Sequence, residues 1–203
     1  MVLERDVVLV RTGTMHGALR PYLRLYTAAG VLVCDAGVDY SGTAEITACA
    51  LPHGGSYTLM VSDDARGRTG TYGLLVQSLI QPVGAQALDI GWTRTATIAV
   101  GGMVDTYTVA ARSDDTLLLR ARTQTGALTP HIRVFTQQGA LLCAAGTSYS
   151  NVAEGTCVVP HDAPVRVVVS DVGGSRTGDY ALFVQHTTAP VHLQSIYVPI
   201  GRR

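Results

Sequence analysis

Lysine is absent from this 203-residue chain, asparagine occurs once, as Asn151, and glutamate three times. Fifteen Arg are balanced by twelve Asp and those three Glu, so the formal net charge is zero. Such a balance leaves no field to gather nucleic acid or anionic lipid, and nucleic acid is excluded as an expected partner. With Lys and Glu scarce and Val, Leu, Ala, Thr, Gly and Tyr abundant, the composition favours strands over helices. No stretch approaches the ~18 apolar residues of a membrane-spanning helix. Met1 to Val10 does not read as a signal peptide, because Glu4, Arg5 and Asp6 interrupt any apolar core. The chain is therefore expected to be a processed or truncated form, whose export signal lay upstream or was never included.

The second half of the sequence repeats the first. Gly17-Ala18-Leu19-Arg20-Pro21-Tyr22-Leu23-Arg24-Leu25-Tyr26-Thr27 returns as Gly126-Ala127-Leu128-Thr129-Pro130-His131-Ile132-Arg133-Val134-Phe135-Thr136, an offset of 126 − 17 = 109. Leu51-Pro52-His53 returns as Val159-Pro160-His161, and Arg68-Thr69-Gly70-Thr71-Tyr72 returns as Arg176-Thr177-Gly178-Asp179-Tyr180, now at 176 − 68 = 108. One residue was gained or lost between the two cysteines of a unit. Two copies make a duplication, not a solenoid, which needs three or more short units.

The four cysteines recur with the repeat, Cys34 and Cys49 answering Cys143 and Cys157, at separations of 49 − 34 = 15 and 157 − 143 = 14. A zinc site wants tighter pairs of the Cys-x-x-Cys kind, and none is present. The spacing reads as one disulfide within each unit, each closing a loop worth about 3 kcal/mol in the chain-entropy model. The alternative is four buried thiols. Disulfides would place the protein in an oxidising compartment, extracellular or at the cell surface.

Alternation is the dominant pattern. Tyr57, Leu59 and Val61 alternate with Thr58, Met60 and Ser62, and Val165, Val167 and Val169 with Arg166, Val168 and Ser170. Six strands are expected in the first unit, near 7–11, 22–26, 31–34, 44–50, 56–62 and 71–77. Eight are expected in the second, near 95–100, 105–111, 116–122, 131–135, 141–143, 153–159, 165–170 and 179–185. The fold class expected is all-β, two tandem antiparallel β-sandwich or jelly-roll domains, the first lacking its opening strands. The units are an incomplete repeat at 1–82, a complete repeat at 83–190 and a tail at 191–203.

Asp105-Thr106-Tyr107-Thr108-Val109, then Pro130 to Thr136, Gly139, the paired cysteines, Val169-Ser170-Asp171 and Thr177-Gly178-Asp179-Tyr180 resemble bacterial pre-peptidase C-terminal domains and related secreted repeats. The resemblance covers nearly all of the second unit and the first from Val7 onward. It implies β-sandwiches appended to secreted enzymes or strung along surface proteins, in an accessory or structural role. It implies no activity, since a fold does not fix a function.

Residues that could carry chemistry are few. His53 and Asp63 recur as His161 and Asp171, with Ser41 and Ser150 in the vicinity, but no Gly-x-Ser-x-Gly elbow accompanies them. Asp after Ser at a strand end reads more simply as a turn acid accepting backbone N–H bonds. No catalytic residue, cofactor-binding residue or metal ligand is assigned, and the protein is not expected to be an enzyme. Calcium is the one metal that Asp63, Asp64, Asp105, Asp114, Asp115, Asp171 and Asp179 leave open, although hard cations need convergent oxygens and these acids lie on different turns. Trp92 is the only tryptophan, so a carbohydrate platform, like a protein ligand, rests on little.

An incomplete sandwich exposes core and unpaired strand edges. Beyond the last matched strand lies His192-Leu193-Gln194-Ser195-Ile196-Tyr197-Val198-Pro199-Ile200. Leu193, Ser195, Ile196, Tyr197, Val198 and Ile200 are the candidate intersubunit strand, added to the first unit of a neighbouring subunit. Head-to-tail contacts of this type propagate, so the expected assembly is a homo-polymer or filament. The alternatives are a non-catalytic binding or spacer module of a larger secreted enzyme or surface protein, an excerpt of a longer repeat array that begins mid-unit and ends in a linker, and a tail folded back on its own first unit.

Overall fold

A computed structural model describes residues 5–37 and 42–187. It contains fifteen strands and no helix among these residues. The first unit is β1 (Val7–Gly17), β2 (Pro21–Thr27), β3 (Leu32–Ala36), β4 (Thr43–Ala50), β5 (Tyr57–Asp63) and β6 (Gly70–Ser78). The second is β7 (Gln86–Ala87), β8 (Thr93–Ile98), β9 (Val104–Val109), β10 (Thr116–Thr123), β11 (Pro130–Phe135), β12 (Leu141–Ala145), β13 (Val152–Val158), β14 (Val165–Asp171) and β15 (Gly178–His186). The strands form four sheets, in the orders β3-β2-β5, β4-β1-β6, β12-β11-β14-β9-β7 and β13-β10-β15-β8. The architecture is an all-β, antiparallel sandwich.

In the first sandwich Val8, Val10, Leu23, Leu25, Ala44, Ile46 and Leu51 meet between the sheets. In the second, Tyr107, Leu117, Leu119, Ile132, Val134, Val167, Val169, Tyr180 and Leu182 do so. Period two puts these side chains on one face of each strand. β10 shows that alternation plainly, as does β2.

β1 of the first unit and β14 of the second are buried on both faces. The reason is a third apolar cluster of Leu9, Leu79, Phe135 and Val168, which packs the outer face of β4-β1-β6 against the outer face of β11-β14-β9. The two sandwiches therefore stack as four layers. At the crossing a side chain on Gly13 would run into the Gly174 carbonyl, and one on Gly73 into that of Gly101.

Two details refine the sequence reading. The one-residue change of offset is a register irregularity between β1 and β4, where Val8 faces Cys49 but Val10 faces Ile46; β10 and β13 pair without one. The short β7 was not expected. It pairs parallel with β9, and the chain after it buries Leu88 in the second core.

Candidate functional site

β14 is flanked by β9 and β15 by β8, so the second core is closed along that side. Their counterparts β5 and β6 pair only with β2 and β1 among the described residues. Two strand edges and the seam between them are left open. Tyr72, Leu74 and Val76 of β6 are 41%, 38% and 57% exposed, whereas the matching Tyr180, Leu182 and Val184 of β15 are 0% exposed. Across the seam Tyr57, Leu59 and Val61 of β5 pack on the first core but are only partly buried. Six β-prone side chains and two strand edges that no described residue pairs face one opening.

The second sandwich shows what fills such an opening. β8 and β9 cross from one sheet to the other and bring in Ile98, Tyr107 and Val109, all buried. Tyr180 donates its hydroxyl proton to Asp105 at 2.7 Å. With that proton committed, Tyr180 accepts from Tyr107 at 2.7 Å. Burial pushes the Asp105 carboxyl above its ordinary range, against the Tyr180 hydrogen bond, and burial raises both phenols as well.

The cysteines pair as Cys34–Cys49 and Cys143–Cys157. Each disulfide joins the two sheets of its sandwich, β3 to β4 and β12 to β13. Disulfides fit an extracellular or periplasmic location. Ser41 and the proposed intersubunit strand, Leu193, Ser195, Ile196, Tyr197, Val198 and Ile200, lie outside the described residues.

The other singled-out residues take structural places. Asp63 accepts from the backbone N–H groups of Arg20, Gly67 and Arg68, and these bonds hold its carboxyl below the ordinary range. Asp171 accepts from Thr129, Ser175 and Arg176 in the same way. Ser150 is bonded to the backbone of Val152. His53 stacks on Tyr57 in an exposed turn. Asp179 takes the hydroxyls of Thr97 and Thr125. Among the described residues, no three His, Cys, Asp or Glu side chains converge on a common point. Trp92 is exposed on the linker side of β8.

Sequence reasoning missed the charged cluster between the sandwiches. Arg11 and Glu45, directly opposite on β1 and β4, pair at 2.5 Å, and Arg133 of β11 binds the other Glu45 oxygen. Arg11 also donates to the carbonyls of Asp171 and Val172, and Arg133 to the Ser170 hydroxyl. Burial draws Arg133 down to about 10, although Glu45 opposes the shift. A cleft of about 270 Å³ beside it is lined by Arg11, Thr43, Glu45 and His131. The pairing of Arg11 with Glu45 was legible as a repeat, because Arg120 and Glu154 stand opposite on β10 and β13 in the same way.

The sequence matches no protein-family model and no curated protein. Among solved structures, the chain is similar to the pre-peptidase C-terminal domain of collagenase from Bacillus anthracis. The identity is 14%, over 52% of this chain and 98% of that one, with a TM-score of 0.44. It is also similar to the Aeromonas hydrophila PliG, a periplasmic inhibitor of g-type lysozyme, at 13% identity over 50% of this chain and 97% of that one, TM-score 0.35. The Salmonella Typhimurium PliG gives 12%, 50%, 97% and 0.32.

Proposed function

We propose that this chain is a non-catalytic extracytoplasmic module whose first sandwich is completed by a strand from another molecule, and that the donor is a second copy of itself. The observation that carries the reading is the contrast between exposed Tyr72, Leu74 and Val76 and their fully buried counterparts Tyr180, Leu182 and Val184. Matched sequence in matched strands should bury to the same extent, and only the neighbours differ. An added strand would bury apolar area at about 25 cal/mol per Å² and pair one of the open edges, the two terms that drive β-augmentation.

The tail has the right pattern for a donor. Asp105-Thr106-Tyr107 delivers a hydroxyl to Tyr180, and Ser195-Ile196-Tyr197 repeats the polar-x-Tyr spacing. Donation from the end of one copy to the start of the next is head to tail, so it builds filaments unless it closes. Removing residues 191–203 and following assembly by light scattering and electron microscopy tests the reading. Loss of high-mass species is expected; unchanged assembly would rule out the tail as donor, and a wild-type chain that stays monomeric would rule out self-association. The same opening would accept a strand of a different secreted protein, a binding module in a larger assembly, and in that case the purified chain alone would remain monomeric.

A further inference from the structure

The contact that stacks the two sandwiches uses surfaces that the duplication has copied. Its first half is the outer face of β4-β1-β6, with Leu9, Arg11 and Glu45. Its second half is the outer face of β11-β14-β9, with Phe135, Val168 and Arg133. The first surface recurs, uncovered by any described residue, on β13-β10-β15-β8, where Arg120 and Glu154 pair at 3.4 Å with side chains 52% and 50% exposed and partly exposed Leu118 stands in place of Leu9. The second recurs on β3-β2-β5, where Tyr26 replaces Phe135 and exposed Met60 replaces Val168. Arg24 there matches Arg133 and is already held in place. It donates to Ser62 at 3.2 Å, as Arg133 does to Ser170 at 3.3 Å, and lies 4.2 Å over the Tyr22 ring.

We infer that the outer face of β13-β10-β15-β8 in one copy docks on the outer face of β3-β2-β5 in a second copy, repeating between molecules the contact made within each. Arg24 of the second copy then reaches Glu154 beside Arg120, as Arg133 reaches Glu45 beside Arg11. Leu118 packs on Tyr26 and Met60. Charge complementarity and an apolar centre are thus both present in the copied surfaces. The copy is imperfect at one end: Arg122 stands where Gly13 permits close approach, and Arg66 where Gly174 does. That end is held wider, with Asp64, in place of Val172 and already paired with Arg20 at 3.8 Å, on the side that Arg122 would face.

A second observation points the same way. The chain leaving β15 repeats the linker that leaves β6, with Pro190-Val191 for Pro82-Val83 and Gln194 for Gln86, at 190 − 82 = 108. In the linker, Gln86–Ala87 becomes β7, parallel to β9 and therefore antiparallel to β14. A tail following the same course from a docked copy would run on the open side of β5 with the polarity of β9, one strand position out from the β5 edge. Each copy carries one face of each kind, so the contact is heterologous and propagates.

This inference deepens the self-association proposed above, and its test does not depend on the tail. Glu154→Arg and Arg24→Glu are each expected to weaken association of the full chain about tenfold by sedimentation velocity, the effect of setting like charges against each other. The double variant, which restores opposite charges across the contact, should recover association. Both sites are solvent-accessible, and thermal melts of each variant will show the fold retained. Association indifferent to both single variants, or a double variant no better than either, overturns the inference even if tail deletion abolishes assembly. Assembly that survives tail deletion yet responds to the charge variants supports face docking and sinks the tail. A monomeric wild-type chain overturns both.

Discussion

The hydroxyls of Tyr107 and Tyr180 lie 2.7 Å apart inside the second sandwich, where Tyr180 also bonds Asp105. Tyr180→Phe would strand a partly buried carboxylate and a buried hydroxyl, so a loss of about 1–3 kcal/mol is expected. Tyr72 occupies the same place in the first sandwich but is exposed. Tyr72→Phe should leave the stability of the unassembled chain within about 0.5 kcal/mol of wild type. Urea denaturation with a tryptophan-independent probe compares them; equal losses would mean that Tyr72 is already covered.

The same asymmetry extends to aliphatic positions. Leu182→Ala opens a cavity in a closed core and is expected to cost about 2–5 kcal/mol. Leu74→Ala removes a side chain that water already reaches, and about 1 kcal/mol or less is expected in dilute solution. At concentrations where copies assemble, Leu74→Ala should become the more damaging of the two to assembly. Measuring the midpoint of unfolding for both variants as protein concentration rises checks this. A Leu74→Ala effect independent of concentration would argue that nothing covers β6.

Much of this architecture is legible in the sequence, and the parts that are not share one physical cause. Period two located all six strands of the first unit and eight in the second, because each of those strands has one face on its own core. β7 escaped notice because two residues carry no period. The stacking of the sandwiches was written less clearly. Val7-Val8-Leu9-Val10 and Val167-Val168-Val169 are continuous apolar runs of the kind that strands buried on both faces show. Reading only the alternate positions put Val168 with Arg166 and Ser170 on a mixed face. The Arg11–Glu45–Arg133 cluster was opaque for a different reason: Arg133 lies 133 − 45 = 88 positions from Glu45, and nothing local announces which sheet will cover which. The open side was readable only because a complete copy stood beside it for comparison.

Each disulfide ties the two sheets of one sandwich, and the first sandwich has fewer strands to hold it otherwise. Removing either bond should cost about 2–5 kcal/mol. Cys34→Ala with Cys49→Ala is expected to expose the first unit to limited proteolysis while β8 to β15 stays protected. Cys143→Ala with Cys157→Ala should leave a folded chain of lowered melting temperature, because that core is larger and closed. Mapping the first cleavage sites by mass spectrometry distinguishes the two, and simultaneous loss of both units in either variant would show that the stacked face makes them one cooperative unit.

That stacked face should also make stability depend on acid. Burial and the positive charge of Arg133 draw His131 from 6.5 down to about 4, so the folded chain keeps this imidazole neutral where the unfolded chain would protonate it. Its contribution is complete above pH 6.5 and is lost as pH falls toward about 4. A shift of that size corresponds to a loss on the order of 3 kcal/mol. Glu45 adds to it at lower pH. Burial pushes its carboxyl up, but the charges of Arg133 and Arg11, with hydrogen bonds from Arg11 and Thr47, outweigh that and hold it below 4.5. Its contribution is therefore present above pH 4.5 and disappears as the carboxylate protonates. His131→Gln is expected to flatten the stability profile between about pH 6.5 and pH 4 while leaving neutral stability nearly intact. Glu45→Gln should instead destabilise the chain at neutral pH, by about 3–5 kcal/mol, since two buried guanidinium groups lose their counter-charge. Melting temperatures of the three proteins across that range and below it decide the matter: a wild-type profile flat from neutral pH to pH 4 would show that His131 is not held as the geometry implies, and no further loss below pH 4.5 would show the same of Glu45.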